Sequence, residues 1–259
     1  MIKKNNTVLY VIGTYILFLV SILMVGIVML FTKNTYVAQL AVAVCSWTPT
    51  MMLLLMLPKL EPGTTRLAFI KKRFKTPIHF KSFLCVISIQ VIVFIMSVKC
   101  LLWQKDMALD AVINLSLTSI ITGFINSLIS GATGEEAGWR GYLQPVMEKH
   151  FGVIRGSLVV GVIWGFWHTP LWFIASGYSG IELVIYIVLF LVFIISTAII
   201  MGITYSFCRN LTIPIVIHFF VNFTLSFIKD YLLNFLGYLA FFYTLIALGF
   251  ILWYKIRHK

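Results

Sequence analysis

The chain alternates long apolar runs with short polar connections, a pattern that predicts membrane-spanning helices. Eight runs are present, and each approaches or exceeds the ~20 residues that a helix needs to cross about 30 Å of hydrocarbon. They cover residues 8–31, 36–57, 82–103, 111–147, 153–175, 183–207, 211–229 and 235–254. Strands of a transmembrane barrel need only about 10 residues each. The pattern therefore predicts an all-α membrane protein, folded as one domain (residues 1–259) that is a polytopic bundle of about eight transmembrane helices.

Composition favours a membrane protein over a soluble one. Hydrophobic residues make up 61% of the 259 residues and charged residues 11%, whereas soluble domains have roughly 45–50% and about 25%. The first apolar run is too long for the core of a cleavable signal peptide and lacks a small-residue cleavage site, so we expect it to be the first span. The four cysteines share no CxxC or zinc-type spacing, which is typical of packing residues.

Basic residues argue against nucleic acid as a partner. The net charge is +12, but the 20 Lys and Arg cluster in the connections between apolar runs. This distribution is typical of the positive-inside rule and of contact with anionic lipid. The connection 58–81 carries seven of them against Glu61 alone. We interpret it as a topology determinant; a basic helix lying on the headgroups is the alternative.

The same residues predict the topology. With eight spans, 16 Lys and Arg fall on one side of the membrane and 4 on the other. Cytoplasmic connections carry the excess of Lys and Arg. We therefore predict a multi-pass protein of the cell membrane with both termini cytoplasmic and with membrane lipids as partners.

Two adjacent carboxylates, Glu135 and Glu136, stand out because the chain has only 8 acidic residues. A carboxylate near hydrocarbon is costly and marks a functional site by default. Arg140 follows Glu136 by four residues, the favoured spacing for an ion pair on a helix. Glu135 is left without a local partner, and a desolvated carboxylate is a good proton acceptor near neutral pH. We expect Glu135 to be a general base and Glu136–Arg140 an orienting ion pair; a plain salt bridge at a helix end is the alternative.

Two histidines fall inside later apolar runs. His168 precedes Pro170, and a proline in a helix removes one backbone hydrogen bond and clashes with the carbonyl four residues back, here that of Phe166. A kink is therefore expected beside His168. His218 and Asn222 are four residues apart and share a helix face. These side chains would complete one polar site; packed histidines and structural hydrogen bonds between helices are the alternatives.

Such a set of side chains suits hydrolysis without a covalent intermediate. A carboxylate base, two histidines and a carboxamide can activate a water and stabilise an oxyanion. Glu135, His168 and His218 are also the ligand types of some zinc hydrolases, which leaves a divalent metal such as zinc open as a cofactor. The chain has no H-E-x-x-H metal motif, no G-x-S-x-G elbow and no glycine-rich phosphate loop.

Three motifs in this order, each at a predicted transmembrane helix, resemble the CPBP family: Glu135-Glu136-x-x-x-Arg140, Trp164-x-x-x-His168 and His218-x-x-x-Asn222. That family comprises intramembrane proteases similar to type II CAAX prenyl endopeptidases, with bacteriocin-processing and abortive-infection proteins. The resemblance implies a catalytic core at 111–229 and a membrane-associated peptide or protein as substrate. It implies that Glu135 activates water, that His168 helps to position it, and that His218 and Asn222 lie on the oxyanion side. The family's second motif usually begins with Phe, which Trp164 replaces here.

Two other functions stay open at this point. One is a non-catalytic bacteriocin-immunity or scaffold protein. The other is a proton-coupled transporter, for which internal repeats and matching broken helices would be expected, and neither is found.

The depth of His168 along its predicted helix raises a further question. At ~1.5 Å per residue, His168 would lie roughly 10 Å too deep to meet Glu135 and His218, which implies a later helix start, a tilted helix or a funnel open to the cytoplasm.

Overall fold

A computed structural model describes residues 4–32 and 35–258, with the side chains left out at Lys4, Thr35, Tyr36, Ala38, Gln39, Leu40 and Val42. Lys3, Lys33 and Lys259 of the predicted charge distribution lie outside the described residues. The described helices, in chain order, are α1 Lys4–Phe31, α2 Thr35–Ser46, α3 Thr48–Leu60, α4 Arg66–Phe74, α5 Phe80–Lys105, α6 Leu109–Val112, α7 Leu117–Ser127, α8 Thr133–Gly138, α9 Gln144–Trp167, α10 Thr169–Ile174, α11 Gly180–Cys208, α12 Thr212–Leu225 and α13 Leu232–Arg257. A first π-turn, Leu128–Ala132, joins α7 to α8, and a second, Trp139–Leu143, joins α8 to α9.

Five helical stretches of the described residues are long and apolar enough to cross a membrane: Asn5–Phe31, Phe80–Lys105, Leu117–Ile174, Gly180–Cys208 and Leu232–Arg257. The prediction of an all-α, multi-pass membrane protein is confirmed. The predicted number of about eight spans needs correction. The fourth and fifth predicted spans belong to one 58-residue stretch, and the seventh is the shorter helix α12.

The second predicted span is also not one helix. It is divided at Trp47 into α2 and α3. Pro49 lies in the first turn of α3, where its missing N–H is tolerated, whereas the same proline inside a longer helix would remove a backbone hydrogen bond. This proline therefore starts a new helix.

The stretch Leu117–Ile174 contains two breaks in its backbone. One lies in the first π-turn, at Ser130 (φ −93°, ψ 89°) and Gly131 (φ 120°, ψ −80°), and the other at Gly152 (φ 76°, ψ 168°). Glycine is the residue that adopts positive φ without steric penalty. The two glutamates thus lie on a helical segment that is bounded by a glycine break on each side.

Helix α9 ends one residue before His168, as Pro170 predicts. Pro170 lies in the first turn of α10. The carbonyl of Trp164 lies 2.8 Å from His168 Nδ1, and the carbonyl of Phe166 accepts a hydrogen bond from the Thr169 hydroxyl at 2.6 Å. The predicted kink is therefore present, and neighbouring side chains satisfy the carbonyls at the end of the helix.

Packing brings these elements around one buried region. Helix α11 packs against α9 and α13, α12 packs against the first π-turn, and α3 packs against α1 and α8. The largest fully buried side chains are Trp139, Trp164 and Trp167, which come from the second π-turn and from α9. They form the apolar surroundings of the glutamate segment.

Candidate active site

Glu135 is held by two tryptophans. Its Oε2 accepts hydrogen bonds from Trp164 Nε1 at 2.6 Å and from Trp139 Nε1 at 3.3 Å. The side chain is only 3% exposed. Oε1 makes no hydrogen bond within the described part of the chain. The expectation that Glu135 lacks a local partner is therefore wrong, because two indole N–H groups fix one oxygen and leave the other free.

Glu136 forms the predicted ion pair with Arg140 and a further contact that the sequence did not predict. Its Oε1 accepts from Arg140 Nη1 at 3.1 Å and from His218 Nδ1 at 2.8 Å. Both members of the ion pair are fully buried. The Arg140 guanidinium also lies over the Trp164 ring, with Cζ 4.1 Å from the ring centroid. This carboxylate thus links the glutamate segment to α12.

His218 and Asn222 present polar atoms from one face of α12. A carboxylate only accepts hydrogen bonds, so the contact with Glu136 places a hydrogen on His218 Nδ1 and leaves Nε2 for another partner. Asn222 Nδ2 donates to the Ser130 carbonyl at 3.3 Å. The carboxamide has two N–H groups, so one remains available.

Gly131 marks the point where these groups converge. A Cβ added there would lie 2.6 Å from Asn222 Nδ2, 3.2 Å from His218 Nε2 and 3.4 Å from Glu135 Oε1. Three polar atoms from separate parts of the chain therefore surround one small space that only a glycine leaves open. Sequence reasoning missed Gly131, since its only signal was a glycine four residues before Glu135.

His168 packs against the tryptophan that contacts Glu135. The Trp164 ring centroid is 5.1 Å from that of His218 and 6.0 Å from that of His168, so the indole stands next to both. His168 itself packs on Trp167 and Phe190, with centroids 4.8 and 5.1 Å apart. Trp164, one turn earlier on α9, supplies the contact with Glu135. Within the described part of the chain, Trp164 is therefore the α9 side chain that hydrogen-bonds to Glu135.

The candidate metal ligands are not assembled as a set. Among the residues that the structure describes, no three His, Cys, Asp or Glu side chains are grouped closely enough to hold one metal ion. Glu135, His168 and His218 therefore do not form a three-ligand site here.

Comparison with known proteins shows which family this part of the chain is similar to. Residues 115–224 match the family model described as type II CAAX prenyl endopeptidase Rce1-like. This segment is similar to that family. It extends from just before α7 to the end of α12 and contains all six candidate residues, and the resemblance inferred from the three motifs is confirmed.

A curated relative supports the same relationship. The chain is 36% identical over 52 residues to a protein of Methanococcus maripaludis named CAAX prenyl protease 2. The match covers 20% of this chain and 19% of that protein. The similarity is therefore confined to a short part of each chain, while the Rce1-like segment covers less than half of the 259 residues.

Proposed function

We propose that the protein is an intramembrane endopeptidase that hydrolyses a membrane-associated peptide or protein with a water activated by Glu135. The observation that carries this proposal is the convergence of Glu135 Oε1, His218 Nε2 and Asn222 Nδ2 beside Gly131. One acceptor and two nitrogen groups around a single space are what water activation and oxyanion stabilisation require. The Rce1-like segment, which belongs to a family of proteases, supports the same reaction class.

The first step joins water to the scissile carbonyl. Glu135 Oε1 takes a proton from the water while the water oxygen bonds to the carbonyl carbon, and the carbonyl electron pair moves to its oxygen. The free N–H of Asn222 donates to that oxyanion. His218 donates there from Nε2 when its ring is protonated, and the charge of the ring then balances the second carboxylate of the cluster. Fixed donors of this kind stabilise charge that develops in the transition state.

The second step releases the products. The oxyanion re-forms the carbonyl, the carbon–nitrogen bond breaks, and Glu135 returns its proton to the leaving nitrogen. One new carboxyl end and one new amine end result. Glu136 and Arg140 do not touch the reacting atoms in this scheme. They hold His218 through its Nδ1 and are positioning residues.

A membrane proteomics comparison tests the proposal and identifies the substrate. Membranes from cells that express the wild-type chain and the Glu135→Gln variant at equal abundance are compared by mass spectrometry. We expect peptides with new termini that accumulate only with the wild type. An unchanged set of peptides, with a cellular phenotype that persists in the variant, would instead support a non-catalytic immunity or scaffold role. A loss of proton flux without any difference in peptides would support a transporter.

Asn222→Ala tests the oxyanion donor. Removal of one such donor lowers turnover by about 10²–10³-fold, and we expect this loss in kcat with little change in KM. The matched control is Asn234→Ala, because Asn234 lies on α13 and its carboxamide contacts Gln104 outside the site. Cleavage of the substrate in vesicles measures both. Equal activity of the two variants would remove Asn222 from the mechanism.

Gly131→Ala tests the space at the centre of the site. The added Cβ would meet Asn222 Nδ2 at 2.6 Å, closer than non-bonded atoms tolerate, and the backbone (φ 120°, ψ −80°) is one that alanine disfavours by about 1–3 kcal/mol. We expect at least about a hundredfold loss of turnover per folded molecule, because the clash displaces one of the oxyanion donors. Activity is measured on the fraction of protein that remains monodisperse in detergent.

Gly177→Ala is the control for backbone strain. Gly177 also has a positive φ, 76°, but a Cβ there would meet nothing within 4 Å. Its alanine variant should lose about 1–2 kcal/mol of stability and keep wild-type turnover. If both alanine variants lost the same fraction of activity, strain alone would account for the effect and the proposed space at Gly131 would be rejected.

A further inference from the structure

A large groove opens at one edge of the helix bundle, away from the glutamate cluster. It has a volume of about 890 Å³. Three helices meet there, since α5 begins at Phe80, α11 ends at Cys208 and α13 ends at Arg257. Its walls are mostly apolar and include the aromatic side chains of Phe207, Phe250 and Trp253. The groove is therefore a mostly apolar cavity at the ends of these helices.

The rim of this groove is positively charged. Lys81 and Arg257 line it together with His79, and no acidic side chain among the described residues does so. Arg257 is held in place by stacking, because its Cζ lies 5.1 Å from the Phe207 ring centroid and 5.5 Å from that of Trp253. A cation is therefore fixed directly over the apolar wall.

More positive charge lies next to the groove. A second cavity of about 540 Å³ is lined by Lys72, Arg73, Lys75 and Arg209. Arg73 and Arg209 are paired with Glu61 and Glu148, whereas Lys72 and Lys75 have no ion pair within the described residues. The residues between the two cavities belong to the same connection, and Asn210 ties that connection to the α11–α12 turn through the carbonyls of Phe74 and Thr76. These hydrogen bonds thus hold the connection that carries the positive residues against the α11–α12 turn.

We propose that the groove binds an anionic phospholipid, with an acyl chain along Phe207, Phe250 and Trp253 and the phosphate at Lys81 and Arg257. Charge complementarity selects this occupant. An apolar wall alone fits any lipid, but cations at its mouth favour an anionic headgroup, and arginine and lysine are the residues that bind phosphate. The glutamate cluster contributes no residue to the groove, so lipid binding here is independent of the proposed hydrolysis.

Tryptophan quenching tests this site in the full-length chain. The protein is reconstituted in vesicles with phospholipids that carry bromine on the acyl chain, either phosphatidylglycerol or phosphatidylcholine. The chain has 7 tryptophans, so the signal of Trp253 is obtained as the difference between the wild type and Trp253→Phe. We expect brominated phosphatidylglycerol to quench Trp253 at a much lower mole fraction than brominated phosphatidylcholine.

Charge variants decide whether Lys81 and Arg257 cause the preference. Lys81→Gln/Arg257→Gln should reduce the preference for phosphatidylglycerol by roughly tenfold to thirtyfold, while Lys81→Arg/Arg257→Lys should retain it. Lys71→Gln/Lys229→Gln is the matched control, since neither residue lines the groove, and it should keep the wild-type preference. The charge-retaining variant shows that any loss is not due to misfolding.

Several outcomes would overturn the proposal. Equal quenching by the two lipids would show an ordinary apolar surface, and no quenching of Trp253 would show that acyl chains do not enter. A preference that survives in the glutamine variant would place the anionic lipid elsewhere. Displacement of brominated phosphatidylglycerol by a lipidated peptide at a much lower mole fraction than by unlabelled phosphatidylglycerol would assign the groove to a substrate.

Discussion

Glu135→Gln is expected to fold like the wild type and to lose about 10²–10⁴-fold of its turnover, the contribution typical of a general base. Glutamine has nearly the same shape, and its carbonyl oxygen can still accept the indole hydrogen bonds of Trp139 and Trp164. It cannot take a proton from water. Turnover is measured on a cleaved membrane peptide in vesicles, and folding by thermal unfolding in detergent.

Glu61→Gln provides the control for loss of a carboxylate. Glu61 is paired with Arg73 in the connection between α3 and α5 and lies outside the glutamate cluster. Its glutamine variant should keep full turnover. Substantial turnover in Glu135→Gln at a level comparable with Glu61→Gln would contradict the role of Glu135 as base and, with it, the proposed hydrolysis.

Arg140→Ala is expected to destabilise the fold by about 3–5 kcal/mol, the usual effect of removing one partner from a buried ion pair. Glu136 would remain fully buried with only His218 as a hydrogen-bond donor. The Trp164 ring would also lose the Arg140 guanidinium that lies over it. Denaturant titration in mixed micelles measures the free energy of unfolding. Adding Glu136→Gln to this variant should recover part of the loss, because it removes the uncompensated carboxylate.

The ion pair Arg73–Glu61 is the natural comparison. Its N–O distance is 2.9 Å, but its side chains are 14% and 22% exposed. Arg73→Ala should therefore cost only about 0–1 kcal/mol, as partly solvated pairs do. If Arg73→Ala and Arg140→Ala lost the same stability, the buried pair would have no special weight, and the division between a catalytic Glu135 and a structural Glu136 would lose its basis.

Features that depend on local spacing could be predicted from the sequence. The four-residue interval between Glu136 and Arg140 predicted the ion pair that the structure contains. Pro170 predicted the helix break beside His168. Apolar runs of sufficient length predicted membrane-spanning helices. In each case the cause lies within one or two helical turns, so no tertiary information was needed.

Features that depend on contacts between distant segments could not be predicted. The bond from His218 to Glu136 joins residues 82 positions apart, and no spacing rule encodes it. The space at Gly131 exists only once α12 packs on the first π-turn. Trp164 stands where the CPBP motif usually has phenylalanine, and no spacing indicates that its N–H donates to Glu135. The division at Trp47 was missed because hydropathy continues across Pro49.

Trp164 contacts Glu135 and Arg140 with different parts of its indole, which bears on the residues that can replace it. The edge of the indole donates to Glu135 while its π surface supports Arg140. A phenylalanine, as the family usually has, would keep the support for the arginine and lose the donor. A chain with phenylalanine at position 164 would therefore hold the Glu135 carboxylate through Trp139 alone.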